Sequence, residues 1–206
     1  MAFRVGFVGY KNSGKTHISS KLKSASAFVK TIGFSDPLYE TVVAATGIPM
    51  EDFQNKEIRE LPDPRLGGRS IQYALNTLGS EWGRKMMFEE IWTNRAFKNE
   101  EDDMINIFDN VRFTNELEGV RKGSKSVLFA IKNRDVKNDG SYPEKEIAKL
   151  QKQCDFVIDN TGQQFAMDTH AMTLFLDYLH VISANNLSIE EAAYCLHGVK
   201  YILQKF

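Results

Sequence analysis

The sequence predicts an α/β fold, a mostly parallel five-stranded sheet with helices on both faces. Short runs rich in Val, Ile and Phe alternate along the chain with segments of helical apolar spacing. That alternation is what a parallel sheet joined by crossover helices requires. The 206 residues are enough to bury one sizeable core, so a single domain over 1–206 is expected.

The strand candidates are residues 3–8, 27–34, 104–109, 127–132 and 155–159, each bounded by Gly, Ser, Asn or Asp. Helical patterns follow the first strand at 15–24, the second at 36–46 and the third at 114–122, with a long stretch at 70–97 interrupted near Gly79 and Gly83. Residues 55–70 carry two prolines, two glycines and three arginines, which predicts a loop beside the core. The polar, turn-rich segment 133–143 has the composition of a mobile lid. Beyond Gly162, residues 165–182 have helical apolar spacing, Asn185 and Asn186 break it, and Ser188-x-x-Glu191 forms a capping box that starts a final helix. The methionines and phenylalanines near Met86, Met87 and Phe88 read most simply as core.

Composition narrows the function classes. A formal net charge of -1 gives no general field for nucleic acid, so an anionic ligand must be held locally. Cys154 and Cys195 stand far apart with no metal-ligand spacing, which suits a reducing compartment. Arg4 interrupts the first apolar stretch, and no run of about 18 apolar residues occurs. The expectation is a soluble cytoplasmic protein without a membrane partner.

The opening strand ends in Gly9-Tyr10-Lys11-Asn12-Ser13-Gly14-Lys15-Thr16, which satisfies G-x-x-x-x-G-K-[ST] between a strand and a helix. Glycines at both ends let successive N–H groups point into one concavity, and the following helix adds its partial positive charge there. Such a concavity holds phosphate oxygens. Gly9, Lys11, Asn12, Ser13, Gly14, Lys15 and Thr16 are therefore the nucleotide-binding candidates, with Lys15 on the β- and γ-phosphates of ATP and the Thr16 hydroxyl on Mg2+. The third strand ends at Asp109, which resembles a Walker B carboxylate and is the second metal candidate beside Thr16. Guanine-reading switch proteins need an Asn-Lys-x-Asp motif, and none is present. Arg134, in the polar loop, has the planar fork suited to a transferring phosphoryl group.

Five further stretches appear in order: Gly-Phe-Ser-Asp-Pro-Leu-Tyr-Glu (33–40), Leu-Gly-Ser-Glu-Trp-Gly-Arg (78–84), Ile91-Trp92, Asn-Val-Arg-Phe-Thr-Asn-Glu-Leu-Glu-Gly-Val (110–120) and Asp-Phe-Val-Ile-Asp-Asn-Thr-Gly (155–162). With the glycine loop, they make residues 3–162 resemble the bacteriophage-type deoxynucleoside monophosphate kinases of the P-loop nucleoside monophosphate kinase group. The resemblance implies a P-loop kinase fold that moves the γ-phosphoryl group of ATP to a deoxynucleoside 5′-monophosphate with Mg2+. It also implies an acceptor-binding segment at about 36–100, a lid at about 133–150 and helices at about 163–206. For a phage-encoded protein the compartment is the infected bacterial cytoplasm. Asp36 then faces the acceptor, Arg84 and Arg112 contact phosphates or support the acceptor site, and Arg134 comes from the lid. Lys15, Arg84, Arg112 and Arg134 are the catalytic candidates, sharing charge in an in-line transfer without a covalent enzyme intermediate.

The chain departs from the family pattern at three places. Thr16 stands where the family often has Asp. Asn110-Val111-Arg112-Phe113 replaces the commoner Asp-Val-Arg-Phe, with Asp109 one position early, and on a regular strand such a shift turns a side chain to the other face. Gln72 and Asn76 occupy positions where the family tends to place Arg and Gln, and Arg69, three residues before Gln72, shares its helix face and is the candidate to supply the missing charge. Arg69, Gln72 and Arg84 join Asp36 as substrate-binding candidates. Trp82 is another, with stacking on a base and packing both open. Another small-molecule P-loop kinase, or a nucleotide-binding module without transferase activity, remains an alternative, and dimerisation is left open.

Overall fold

A computed structural model describes residues 3–123, 125–133, 135–136, 142–160 and 203–204. Along the chain the elements run β1 (Phe3–Val8), α1 (Lys15–Ala25), β2 (Val29–Ile32), α2 (Asp36–Thr46), α3 (Met50–Gln54), α4 (Lys56–Glu60), β3 (Pro62–Asp63), a 3-10 turn (Pro64–Leu66), β4 (Arg69–Ser70), α5 (Ile71–Asn76), a π-helical segment (Thr77–Met87), α6 (Ile91–Phe97), β5 (Ile105–Val111), α7 (Thr114–Arg121), β6 (Lys125–Lys132), α8 (Tyr142–Gln151), β7 (Phe156–Asp159) and β8 (Leu203–Gln204). They form two compact units, Met1–Ile32 with Glu100–Phe206, and Gly33–Asn99.

The first unit is an α/β sheet in the order β2-β5-β1-β6-β7-β8. Its first five strands are parallel, as the alternating pattern requires. β8 is a two-residue antiparallel addition, Val157 opposite Gln204 and Ile158 opposite Leu203. Residues 203–204 are thus extended where a final helix was expected; the helices expected over 163–202 lie outside the described residues. Because β1 is paired on both sides, it reads as a nearly unbroken apolar run. Period two sends Phe3, Val5 and Phe7 to one face, where Ile18 and Leu22 of α1 complete the cluster with Phe129 and Phe156. The Phe7 and Phe129 rings meet edge to face at 5.9 Å. Each such buried side chain contributes about 1.5–3 kcal/mol. Arg4 projects from the same strand, yet its guanidinium is satisfied: Nε and Nη2 donate to Glu100 at 2.6 and 2.9 Å, and Nη1 to the Gly119 carbonyl at 2.7 Å.

Helices α7 and α8 pack on β1 and β6, and α1 packs on β2 and β5. Among the described residues no helix is long and apolar enough to cross a membrane. Cys154 is buried, and desolvation pushes its thiol up to about 12, which leaves it an ordinary core residue.

The second unit is helical around Val42, Ile48, Phe53, Ile71 and Leu75. Residues 55–70, expected as a loop, contain α4 and a short antiparallel pair, Pro62 opposite Ser70 and Asp63 opposite Arg69. The Asn55 side chain accepts from the N–H groups of Glu57 and Ile58 and so starts a helix that the flanking prolines conceal in the sequence.

The long helical stretch changes geometry instead of breaking. From Thr77 to Met87 it winds as a π-helix, closed by the Phe88 N–H on the Gly83 carbonyl at 2.9 Å. Gly79 and Gly83 are buried in it, and Trp92 touches the backbone at both. The indole N–H donates to the Gly79 carbonyl at 2.9 Å, and a Cβ on Gly83 would lie 2.7 Å from Trp92 Cε2. The glycines expected to interrupt the helix lie within it, and Gly83 admits the Trp92 ring. Met86, Met87 and Phe88, read as core from sequence, are 74, 60 and 51% exposed. Wider winding rotates Met86 and Met87 off the apolar face that α-helical spacing assigns them, and Phe88 follows the segment in extended backbone.

Gly83→Ala should therefore cost about 1–3 kcal/mol through overpacking against the indole. Urea unfolding of the variant and the parent checks this, and an unchanged midpoint would remove Trp92 as the reason for the glycine.

Candidate functional site

The order of the sheet reverses at β1: the chain passes to β2 and β5 on one side and to β6 and β7 on the other. The carboxyl end of β1 is thus a topological switch point, where open α/β sheets leave a crevice between diverging loops. The residues that fill this edge are Gly9 to Thr16.

Gly9 is pressed against its surroundings; a Cβ there would lie 2.5 Å from Ser13 Oγ and 2.7 Å from the Ile131 carbonyl. The chain then turns tightly, with the Ser13 N–H on the Tyr10 carbonyl at 3.0 Å. Asn12 takes a positive φ of 67°, and Gly14, at 99°, occupies the left-handed region that favours glycine. α1 starts on Gly14, which has no side chain to cap it, and no acidic residue lies in its first turn. Its start is left polarised for an anion.

Lys15 is buried, and its Nζ donates to the carbonyls of Gly9 at 2.5 Å and Tyr10 at 2.8 Å. The cation is therefore held inside the loop that it follows. Ser13 is 1% exposed, and its Oγ has no hydrogen-bond partner among the described residues. Lys11, Asn12 and Thr16 are exposed along the rim.

Asp109 belongs to this cluster. Ser19, one turn after Thr16, places its hydroxyl 3.1 Å from the Thr16 carbonyl and 3.1 Å from Asp109 Oδ2. Asn110 takes a different partner, accepting Arg112 Nε at 2.7 Å. A one-residue shift should turn neighbouring strand residues to opposite faces, but β5 is not regular here. Gly6 pairs with Phe108 and Val8 with Val111, so two residues of β5 face one of β1. This bulge leaves both Asp109 and Asn110 half-buried, and strict alternation does not hold between them.

Arg112 lies just past β5. Buried Glu116 accepts its N–H at 2.8 Å and that of Phe113 at 3.2 Å, which fixes the strand end onto the start of α7. Two residues not singled out as site residues from sequence, Ser19 and Glu116, thus orient the strand end. A third is Asn160, directly after β7, whose Nδ2 donates to the Ser13 carbonyl at 2.8 Å. Its sequence signals are its membership of the 155–162 motif and its place at the end of Val-Ile-Asp-Asn, the edge where ligands bind. Arg134 lies outside the described residues.

The substrate-binding candidates Asp36, Arg69, Gln72, Trp82 and Arg84 all lie in the second unit. Arg69 does not share a helix face with Gln72. Ser70 caps α5, its Oγ accepting the Tyr73 N–H at 3.1 Å, so Arg69 precedes the helix and is extended. The Arg69 guanidinium instead bonds the Tyr73 hydroxyl and covers that ring at 4.6 Å. Gln72 donates to Asn76 at 2.8 Å. Trp82 is 41% exposed and meets buried Trp92 at 6.2 Å. Arg84 is half-buried in the π-helical segment.

No family model matches the chain, and no curated protein matches it. Among solved structures, the crystal structure of TT1252 from Thermus thermophilus is similar at 15% identity and a TM-score of 0.44, covering 85% of this chain and 97% of that one.

Asp36 has a structural task of its own, since its Oδ2 accepts the Gly33 N–H at 2.7 Å. Burial pushes its carboxyl up from the ordinary 3.8, the Gly33 N–H opposes this, and Glu40 adds to the rise. A carboxyl raised by folding favours the native state below its unfolded pKa, and that contribution is lost as pH rises through the folded value. Asp36→Asn keeps an acceptor without the charge. Its stability relative to the parent should therefore improve as pH rises above about 4, and Asp36→Ala should follow the same pH trend but lie about 1 kcal/mol lower for the lost acceptor. Urea midpoints across that range check this, and a difference between the Asn variant and the parent that ignores pH would contradict the burial effect.

Proposed function

We propose that the chain is an ATP- and magnesium-dependent deoxynucleoside monophosphate kinase, which transfers the γ-phosphoryl group of ATP to a deoxynucleoside 5′-monophosphate and releases the diphosphate. The observation that carries this reading is the junction of β1 and α1. There a glycine loop encloses the Lys15 ammonium, and Ser19 links the first turn of the helix to the Asp109 carboxylate. The ordered motifs over residues 3–162 supply the acceptor class.

Each residue has a physical task. The loop N–H groups and the start of α1 cradle the donor phosphates without proton transfer. Lys15 leaves the carbonyls of Gly9 and Tyr10 for phosphate oxygens and balances charge that grows between the β- and γ-groups. Arg112, anchored by Asn110 and through its backbone by Glu116, and Arg84 are cations for the transferring group, and Arg134 is assigned to the lid. Asp36, Arg69, Gln72 and Trp82 are assigned to the acceptor. No covalent enzyme intermediate is formed.

Thr16 Oγ and Asp109 offer oxygen donors of the kind magnesium takes. Among the described residues no three His, Cys, Asp or Glu side chains form a metal cluster, which fits an ion held mainly by phosphate, water and one or two protein oxygens. When bound, magnesium neutralises phosphate charge. Ser19 keeps Asp109 beside the helix that carries Thr16.

The deciding assay incubates the protein with ATP, magnesium and each common deoxynucleoside monophosphate, with nucleosides and shikimate in parallel, and measures the phosphorylated product formed. Acceptor-dependent diphosphate is expected. Nucleotide binding with no product above hydrolysis would replace this reading with a nucleotide-binding module, and product from a nucleoside or a shikimate-type acceptor would replace the substrate class.

Two variants follow. Lys15→Ala should lower kcat/KM by about 100-fold or more, roughly 3 kcal/mol of transition-state stabilisation, with a much smaller change in unfolding midpoint. Retention of normal turnover would exclude the loop as the donor site. In magnesium titrations of the initial rate, Asp109→Asn should need more metal than the parent, while Asn110→Asp should leave the requirement unchanged. The reverse pattern would transfer the metal role to position 110.

A further inference from the structure

Asn160 lies directly after β7, at the carboxyl edge of the sheet. Its backbone is fixed first: the Asn160 N–H donates to the Lys132 carbonyl at 2.7 Å, extending the β6–β7 ladder by one residue. From that anchor the side-chain amide reaches the loop after β1, with Nδ2 donating to the Ser13 carbonyl at 2.8 Å. The amide also covers the Cα of Gly14, so that a Cβ there would collide with it. All of these atoms belong to the first unit.

The Ser13–Gly14 peptide needs such a hold. In a planar trans peptide the carbonyl and the next N–H point in opposite directions, and no cis peptide occurs among the described residues. Turning the Ser13 carbonyl toward Asn160 therefore turns the Gly14 N–H toward the opposite side of the loop. Glycine is the residue that most easily allows such a peptide to flip, because either sign of φ is open to it. A flip would replace an N–H donor with a carbonyl oxygen on the side where an anion binds. Buried Ser13 Oγ has no partner among the described residues, so that hydroxyl offers no competing hold.

We propose that Asn160 is a positioning residue for phosphate recognition, which locks the Ser13–Gly14 peptide with its N–H facing the bound phosphates. The proposal rests on the reading of residues 9–16 as the donor-phosphate loop. Asn160 touches no phosphate itself. It acts by excluding the flipped loop, so its effect falls on the phosphate chain of the nucleotide and not on the base.

The test measures the affinity of the full chain for inorganic tripolyphosphate and for ATP, both with magnesium, by titration calorimetry in the parent, Asn160→Ala and Asn160→Asp. Unfolding midpoints are measured without ligand. Asn160→Ala removes the donor and should weaken both ligands equally, by about 3- to 10-fold. Asn160→Asp sets a carboxylate against the Ser13 carbonyl and should weaken both by about 30-fold or more. At a temperature well below either midpoint, a variant that binds both ligands like the parent overturns the proposal, even if its midpoint has fallen. Loss of ATP affinity without loss of tripolyphosphate affinity also overturns it. If Asn160→Asp does not fold, Asn160→Ala decides alone. A parent that binds neither ligand refutes the donor-loop reading and this proposal together, whereas a parent that binds both beside an unaffected Asn160→Ala refutes only the role of Asn160.

Discussion

The close approach of Gly9 to the end of β6 governs the carboxyl edge of the sheet. Any side chain at position 9 would place its Cβ 2.7 Å from the Ile131 carbonyl and 2.5 Å from the Ser13 hydroxyl, well inside van der Waals contact. With glycine there, β1 can stay in register with β6 up to Val8 opposite Ala130 and then turn at once. The tight turn brings the carbonyls of Gly9 and Tyr10 within reach of Lys15. It also presents Ser13 to Asn160, and α1 begins two residues later. A slacker turn would have lost the buried cation and the polarised helix start together.

The edge is built from residues far apart in sequence, each fixed by its own strand. Asp109 arrives on β5 and is held by Ser19; Asn160 arrives on β7 and is held by Lys132. The bulge in β5 breaks the strict alternation that sequence alone assumes between Asp109 and Asn110, and each takes its own hydrogen-bond partner. A lysine enclosed by two carbonyls is a ground state that a phosphate can improve upon, since an anion stabilises an ammonium more than neutral carbonyls do. The same physics underlies both the proposed donor role of the loop and the assigned role of Asn160 in keeping its N–H groups outward.

The second unit shows how a motif can be legible and its reason hidden. Leu-Gly-Ser-Glu-Trp-Gly-Arg (78–84) and Ile91-Trp92 are two of the motifs that carry the family resemblance. In the structure the two glycines of the first receive the Trp92 indole, one through a carbonyl and one through bare Cα. Arg69 and Gln72 were grouped by helical spacing, yet Ser70 starts the helix between them and each bonds a different side chain. Spacing arguments fail where a cap sets the phase.

The sequence by itself determined the alternation of strands and helices, the glycine loop between β1 and α1, and a carboxylate near the end of β5. These are local properties: apolar periodicity, the backbone freedom of glycine and the length of each run decide them within a few residues. Strand order, the β5 bulge, the π-helical winding and the contacts of Ser19, Glu116 and Asn160 were decided only by tertiary structure. Each depends on a partner tens of residues away or on one chain pressing against another, and no short-range pattern encodes which carbonyl an amide will find. Asn160 marks that boundary most clearly, since 147 positions separate it from the Ser13 carbonyl it holds.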